Sequence, residues 1–110
     1  MKTVLLLAVV LLAPVSAALA GEIYGKITEG DRPVGEGVPV QARCGDKTYG
    51  PAKTDTTGSY HLVAQATGKC VLSVTYKEQA ASIEVASYDE GTQVDLVVEM
   101  RDGKLTVRRK

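Results

Sequence analysis

The sequence predicts an all-β protein, an antiparallel β-sandwich of seven short strands that follows an N-terminal targeting segment. Three observations lead there. First, the core-forming residues are small and branched. Beyond residue 20 there are 11 Val, 3 Ile and 4 Leu, and the whole chain has neither Phe nor Trp. Branched side chains fit a pleated surface better than a helix, where their χ1 freedom is lost. Second, apolar and polar residues alternate with the period of two that a half-buried strand requires. Third, Gly, Pro, Asp and Thr interrupt these runs at near-regular spacing, and no stretch keeps a helical period.

Residues 1–20 read as a signal peptide. Lys2 supplies the positive start, residues 4–13 are apolar, and Ala18-Leu19-Ala20 is a small-x-small cleavage signal ahead of Gly21. The apolar run is short for a membrane span. An uncleaved N-terminal anchor is the alternative. The residue directly after the cleavage point is Gly21 and not Cys, which argues against a lipid anchor. The protein is therefore expected to be exported, to a periplasm or to the medium, as one small domain over residues 21–110.

Removing 20 of 110 residues leaves 90, a size at which core burial alone gives marginal stability. Without Lys2 the balance is 12 basic against 13 acidic residues, a net charge of −1. No global field exists to recruit nucleic acid or an anionic membrane. Two cysteines, Cys44 and Cys70, in a small exported domain point to one disulfide. It would close a loop of about 26 residues and contribute roughly 3 kcal/mol. Two buried free thiols are the alternative. No CxxC is present, and the soft ligands are too few for a metal site.

The elements follow in order. Residues 22–28 form a strand with Ile23, Gly25 and Ile27 on one face; Gly25 inside it predicts a bulge or a close backbone approach. Residues 29–37 hold Gly30, Pro33, Gly35 and Gly37 and read as a loop. Residues 38–43 form a strand with Val38, Val40 and Ala42 inward, and Cys44 shares their parity. Residues 48–53, interrupted by Gly50-Pro51, read as an edge piece. Residues 54–58 are a turn built on Asp55 and Gly58, and a strand follows in which Tyr60 and Leu62 share a face. Residues 70–76 alternate Cys70, Leu72, Val74 and Tyr76 with Val71, Ser73 and Thr75. Both cysteines thus face the core, which makes a bridge through the core plausible. Residues 77–80 connect to a strand at 81–86 with Ile83 and Val85 inward. Residues 92–100 form the last main strand, with Val94, Leu96 and Val98 inward. Asp102-Gly103 is a two-residue hairpin signal, so 104–107 can pair back. Arg108, Arg109 and Lys110 read as a solvated basic end.

The run Ile23-Tyr24-Gly25-Lys26-Ile27, the Gly/Pro loop, Gly37-Val38-Pro39-Val40, the T-D-x-x-G-x-Y-x-L segment at 54–62, Gly68 and the Leu72/Val74 strand together resemble the carboxypeptidase regulatory-like domain family. The resemblance covers roughly residues 22–98 and implies a seven-stranded sandwich of the transthyretin (prealbumin) type. It departs at Cys70, where the family usually has an aromatic, and at Lys77-Glu78-Gln79, where a Gly-aromatic pair is missing. The motifs are structural, so they imply a fold and hardly an activity. Nothing of a peptidase catalytic domain is present.

No catalytic constellation is legible. His61 is the only histidine, and a metal or triad site needs more than one such group. Purine-pathway hydrolases of the transthyretin type resemble a multi-histidine site with a characteristic C-terminal motif, and ring-cleaving dioxygenases of a related sandwich use two His and two Tyr on iron. This chain has neither set. Asp55 and Asp89-Glu90 are the turn carboxylates best suited to hold Ca²⁺, though such residues are more often turn formers. Tyr24, Tyr49 and Tyr88 could stack a sugar or peptide if they cluster. The expected function is an exported, non-catalytic binding or accessory module acting on a protein or an envelope polymer, with no cofactor, no metal and no nucleic acid. A carbohydrate-binding module is the first alternative, and a small hydrolase with an unconventional site the second.

Overall fold

The computed structural model describes residues 21–65, 67–87 and 91–110. The expected signal peptide at 1–20, and Tyr88, Asp89 and Glu90, lie outside the described residues. Ten strand segments follow in order: β1 Glu22–Glu29, β2 Arg32–Pro33, β3 Pro39–Cys44, β4 Lys47–Lys53, β5 Ser59–Val63, β6 Gly68–Tyr76, β7 Gln79–Ser87, β8 Thr92–Gln93, β9 Leu96–Arg101 and β10 Lys104–Arg109. They form two sheets, of six and four strands. The protein is all-β, with two antiparallel-dominated sheets on one shared core.

The larger sheet is built on β1. Its first half pairs antiparallel with β5, from Glu22↔Val63 to Lys26↔Ser59. Its second half pairs with β2 on that side. On its other side run β8 and then β9, both parallel to β1. The expected antiparallel pairing holds for the other strand pairs among the described residues, and these two are parallel. The intervening segments β3, β4, β6 and β7 build the other sheet, so the chain returns beside β1 in the direction in which it started. The hairpin β9–β10 closes that side. The smaller sheet has the order β4-β3-β6-β7, all antiparallel.

Period-two alternation carried the core as read. Ile23, Ile27, Val38, Val40, Ala42, Tyr60, Leu62, Leu72, Val74, Val85, Val94, Leu96 and Val98 are all buried in one cluster, with both cysteines. Ile23, Val40, Leu72, Val94 and Leu96 are fully excluded from solvent. At about 25 cal/mol per Å² of apolar area, burying such side chains is the main favourable contribution available to a chain without large aromatics.

Gly25 meets the close approach predicted for it. A Cβ there would lie 2.1 Å from the Val94 carbonyl oxygen. The stretch read as one strand over 92–100 is in fact two, β8 and β9. At the break, Val94 N–H still donates to the Tyr24 carbonyl (2.8 Å), while the Asp95 carboxylate accepts from Lys26 N–H (2.9 Å). A side chain there replaces a backbone carbonyl in the ladder.

Three further boundaries differ from the sequence reading. The connection at 77–80 is a two-residue turn, Lys77-Glu78, and both residues take positive φ (52° and 67°). The 29–37 loop contains β2. The basic end is not a free tail, because β10 extends through Arg109, whose guanidinium Nη2 donates to the Gln93 carbonyl at 3.1 Å. The edge piece at 48–53 is the edge strand β4, with a cis Gly50–Pro51 bond.

Cys44 and Cys70 are joined, with a Cα–Cα distance of 4.3 Å. Arg43 pairs with Val71, so the two cysteines face each other on the neighbouring strands β3 and β6. The bridge therefore does not cross the core between sheets, as parity had allowed. It lies on the core face of one sheet, at a spacing near the roughly 4.5 Å of a non-hydrogen-bonded antiparallel pair.

Candidate functional site

The segment 54–62 organises one end of the molecule. The Thr54 hydroxyl accepts from Val38 N–H (2.9 Å) and donates to the Gly35 carbonyl (2.6 Å), which fixes the Gly/Pro loop to the entry of β3. Asp55 Oδ1 accepts from Thr57 N–H, the Thr57 hydroxyl and Ser59 N–H at 2.9, 2.7 and 3.0 Å. These bonds, led by the Thr57 hydroxyl, hold the Asp55 carboxyl below the ordinary carboxylate range. Gly58 takes φ +79°, and a Cβ there would meet the Ile27 carbonyl oxygen at 2.7 Å. Tyr60, almost wholly buried, donates its hydroxyl to the Val94 carbonyl at 2.6 Å. Burial, with the charge of Asp95 nearby, pushes the Tyr60 phenol well above its usual value. The segment is thus a structural clamp. Asp55, one of the proposed calcium ligands, spends one carboxylate oxygen on its own turn.

An exposed surface with apolar groups lies on the outer face of β1 and β5. Period two turns Glu22, Tyr24 and Lys26 outward from β1, and Ser59, His61 and Val63 outward from β5. The register sets Tyr24 directly opposite His61 and Glu22 opposite Val63. Tyr24 is 38% exposed and Val63 41%, two of the three large apolar residues that reach solvent to this degree among the described residues. The third, Val71, lies on the smaller sheet. His61 Nε2 approaches Glu22 Oε1 at 3.3 Å, with the imidazole still 56% exposed.

The patch has a firm frame. Tyr24 also pairs with Gln93 of β8. Asp95 takes Lys26 N–H on Oδ1 and the Gln93 amide (3.1 Å) on Oδ2. The Tyr24 ring lies over Gly91, where a Cβ would come within 3.2 Å of its Cε1 atom. The result is an exposed aromatic and an exposed Val on a rigid sheet, rimmed by an imidazole, a carboxylate and an ammonium. Such a surface suits docking by stacking and apolar contact, with polar groups at its border.

A depression of about 250 Å³ lies at the far end of β1 and is lined by Glu29, Gly30, Val97, Glu99, Met100 and Arg108 among others. Glu29 is already engaged there: Oε1 accepts from the Tyr76 hydroxyl (2.8 Å) and Oε2 from Lys77 Nζ (3.2 Å). Those two bonds, the tyrosine's first, lower its carboxyl below the usual range.

The sequence-predicted residues are partly brought together. His61 is on the surface, as parity required, and sits beside Tyr24. Tyr49 does not join them: it pairs with Ala42 on the core side of β4 and packs against the core. Tyr88 and the calcium pair Asp89-Glu90 lie outside the described residues. Among the described residues, no three His, Cys, Asp or Glu side chains converge as metal ligands would. Val63 and Glu22 were not singled out by the sequence reading. Their parity was legible, but the pairing of β5 with β1 was not. No family model matches the sequence, and a comparison with curated proteins finds no match.

Proposed function

We propose that the chain is an exported, non-catalytic docking module whose working surface is the outer face of β1 and β5. The observation that carries this reading is the exposed Tyr24–His61–Val63 patch on a braced sheet. Its partner is a protein, and residues 1–20 serve as the export signal. The Cys44–Cys70 bond is compatible with an oxidising compartment, and no helix among the described residues is long and apolar enough to cross a membrane. Membership of the carboxypeptidase regulatory-like family, with a transthyretin-type sandwich, is part of the same proposal. It is supported by the clamp that residues 54–62 make around Thr54, Asp55 and Tyr60. The carbohydrate-binding alternative needs clustered aromatics. Tyr24 on an outer face and Tyr49 against the core weigh against it.

The test is a photo-reactive phenylalanine analogue placed at Tyr24, at Val63, and at Thr75 on the other sheet as control. The protein is produced from its full-length gene in its own host. Adducts to one dominant protein from positions 24 and 63, absent from 75, support the reading. Adduct yields at 24 and 63 no higher than at 75 would sink it.

A further inference from the structure

The four sheet margins differ in how they are guarded. Natural sheets blunt their edges with Pro, Lys, bulges or very short strands, because an open row of N–H and C=O groups invites another strand. β4 carries Gly50–Pro51 and a register shift opposite Val40/Ala42. β10 carries Lys104, Arg108 and Arg109. β5 has five residues. By contrast β7, Gln79–Ser87, has nine residues, an unbroken register with β6, no Pro, no Lys and a single charge, Glu84.

The phase of its hydrogen bonding follows from the turn. Lys77-Glu78 is a two-residue loop, so Tyr76 and Gln79 form the closing hydrogen-bonded pair. Alternation then directs the N–H and C=O of Ala80, Ser82, Glu84 and Ala86 away from β6. None of these four makes a backbone bond to another element among the described residues. Only the first residue is occupied: the Gln79 amide donates to the Gly103 carbonyl (2.7 Å) and its oxygen accepts from Leu105 N–H (2.9 Å). The other residues are mostly small, and β10, which packs close to β7, makes no backbone pairing with it.

We propose that β7 pairs antiparallel with β7 of a second copy of this chain, about a two-fold axis at Ile83, making one continuous sheet across the dimer. The sequence of the edge argues for a second copy and for this register. Facing residues of an antiparallel pair point to the same side, so core-facing residues must meet core-facing residues. That leaves only axes that pass through a residue. An axis at Glu84 would oppose the two carboxylates. An axis at Ile83 sets Glu84 opposite Ser82, Ala81 opposite Val85 and Ala80 opposite Ala86. Ile83 then meets its own copy, closing over a side chain that is half-buried at the open margin in the monomer. The four outward-bonding positions become hydrogen-bonded pairs, giving roughly eight new backbone bonds. The interface is isologous and closes at two copies. It uses the smaller sheet and leaves the Tyr24 face free.

Sedimentation of the purified, oxidised protein from micromolar to near-millimolar concentration tests this, with circular dichroism to verify folding of each variant. The wild type is expected to dimerise. Ser82→Pro removes one outward N–H from each copy and no backbone bond to β6, although it also loses the contact of the Ser82 hydroxyl with that of Ser73 (2.8 Å), and is expected to weaken the dimer about tenfold or more. Two charge variants read the register. Ser82→Lys sets an ammonium opposite Glu84 of the second copy and should tighten the dimer roughly fivefold, while Ser82→Glu sets like charges together and should loosen it by as much. A monomer at every concentration overturns the proposal. So does a dimer indifferent to Ser82→Pro, or Lys and Glu variants that shift it in the same direction.

Discussion

Thr54 shows how much a single hydroxyl can hold. It is buried, and it satisfies Val38 N–H and the Gly35 carbonyl at once. Thr54→Val keeps the shape and strands both groups, so urea titration should show a loss of about 1–3 kcal/mol. A loss too small to resolve would mean that water replaces both contacts. Tyr60→Phe leaves the buried Val94 carbonyl short of its donor and should cost roughly 1–2 kcal/mol by the same measurement. The two ionisations of this clamp act in opposite pH ranges. The Asp55 carboxyl is lowered in the fold, so its contribution is present above the ordinary carboxylate range and is lost as pH falls through the folded value. Stability should decline below about pH 4, and less steeply in Asp55→Asn. The Tyr60 phenol is raised, so its contribution is present below about pH 10 and is lost as pH rises beyond that. An alkaline decline present in the wild type and missing in Tyr60→Phe would identify the group.

Among the elements, the β6–β7 hairpin is the least expected from sequence. Left-handed backbone costs a residue with a Cβ roughly 1 kcal/mol, and two-residue turns of this kind prefer Asn-Gly or Asp-Gly. Asp102-Gly103 obeys that rule and was readable. Lys77-Glu78 does not, which is why 77–80 reads as a longer connection. Glu78→Gly should stabilise the protein by roughly 1 kcal/mol in thermal denaturation, and a lower midpoint would refute the strain argument. Legibility elsewhere followed the same division. β1, β3, β5 and β6 were readable because alternation states which face is buried. Alternation does not state which strand lies alongside, so the β1–β9 parallel pair, the in-sheet disulfide and the Tyr24–His61 pairing were not readable. The break between β8 and β9 was hidden because Asp95 keeps the polar phase of its run. Its role depends on Gly25, 70 positions earlier in the chain.

For the molecule as a whole, the disulfide and the sheets share the task of stability. The larger sheet is held by pairing over long sequence distances. The smaller one has the Cys44–Cys70 bond, across a separation of 26 residues. Replacing both cysteines with Ala should cost about 3 kcal/mol, read as a lower denaturation midpoint with a steeper slope, because the unfolded chain is no longer cross-linked. The oxidised protein should weigh two hydrogens less than the reduced one and take up no alkylating agent. Labelling of both thiols without reductant would contradict the bond.

β1 lends the molecule a timetable. It is the first strand of the described chain, yet its neighbours are β2, β5, β8 and β9, and the last of these begins at Leu96. The span from Ile27 to Leu96 must be closed before the larger sheet has its second side. Contacts so distant in sequence form late and slowly. A chain emerging N-terminus first therefore carries its founding strand half-paired until β8 and β9 have appeared. The smaller sheet, whose last strand ends at Ser87, can close while β1 still waits for its other side.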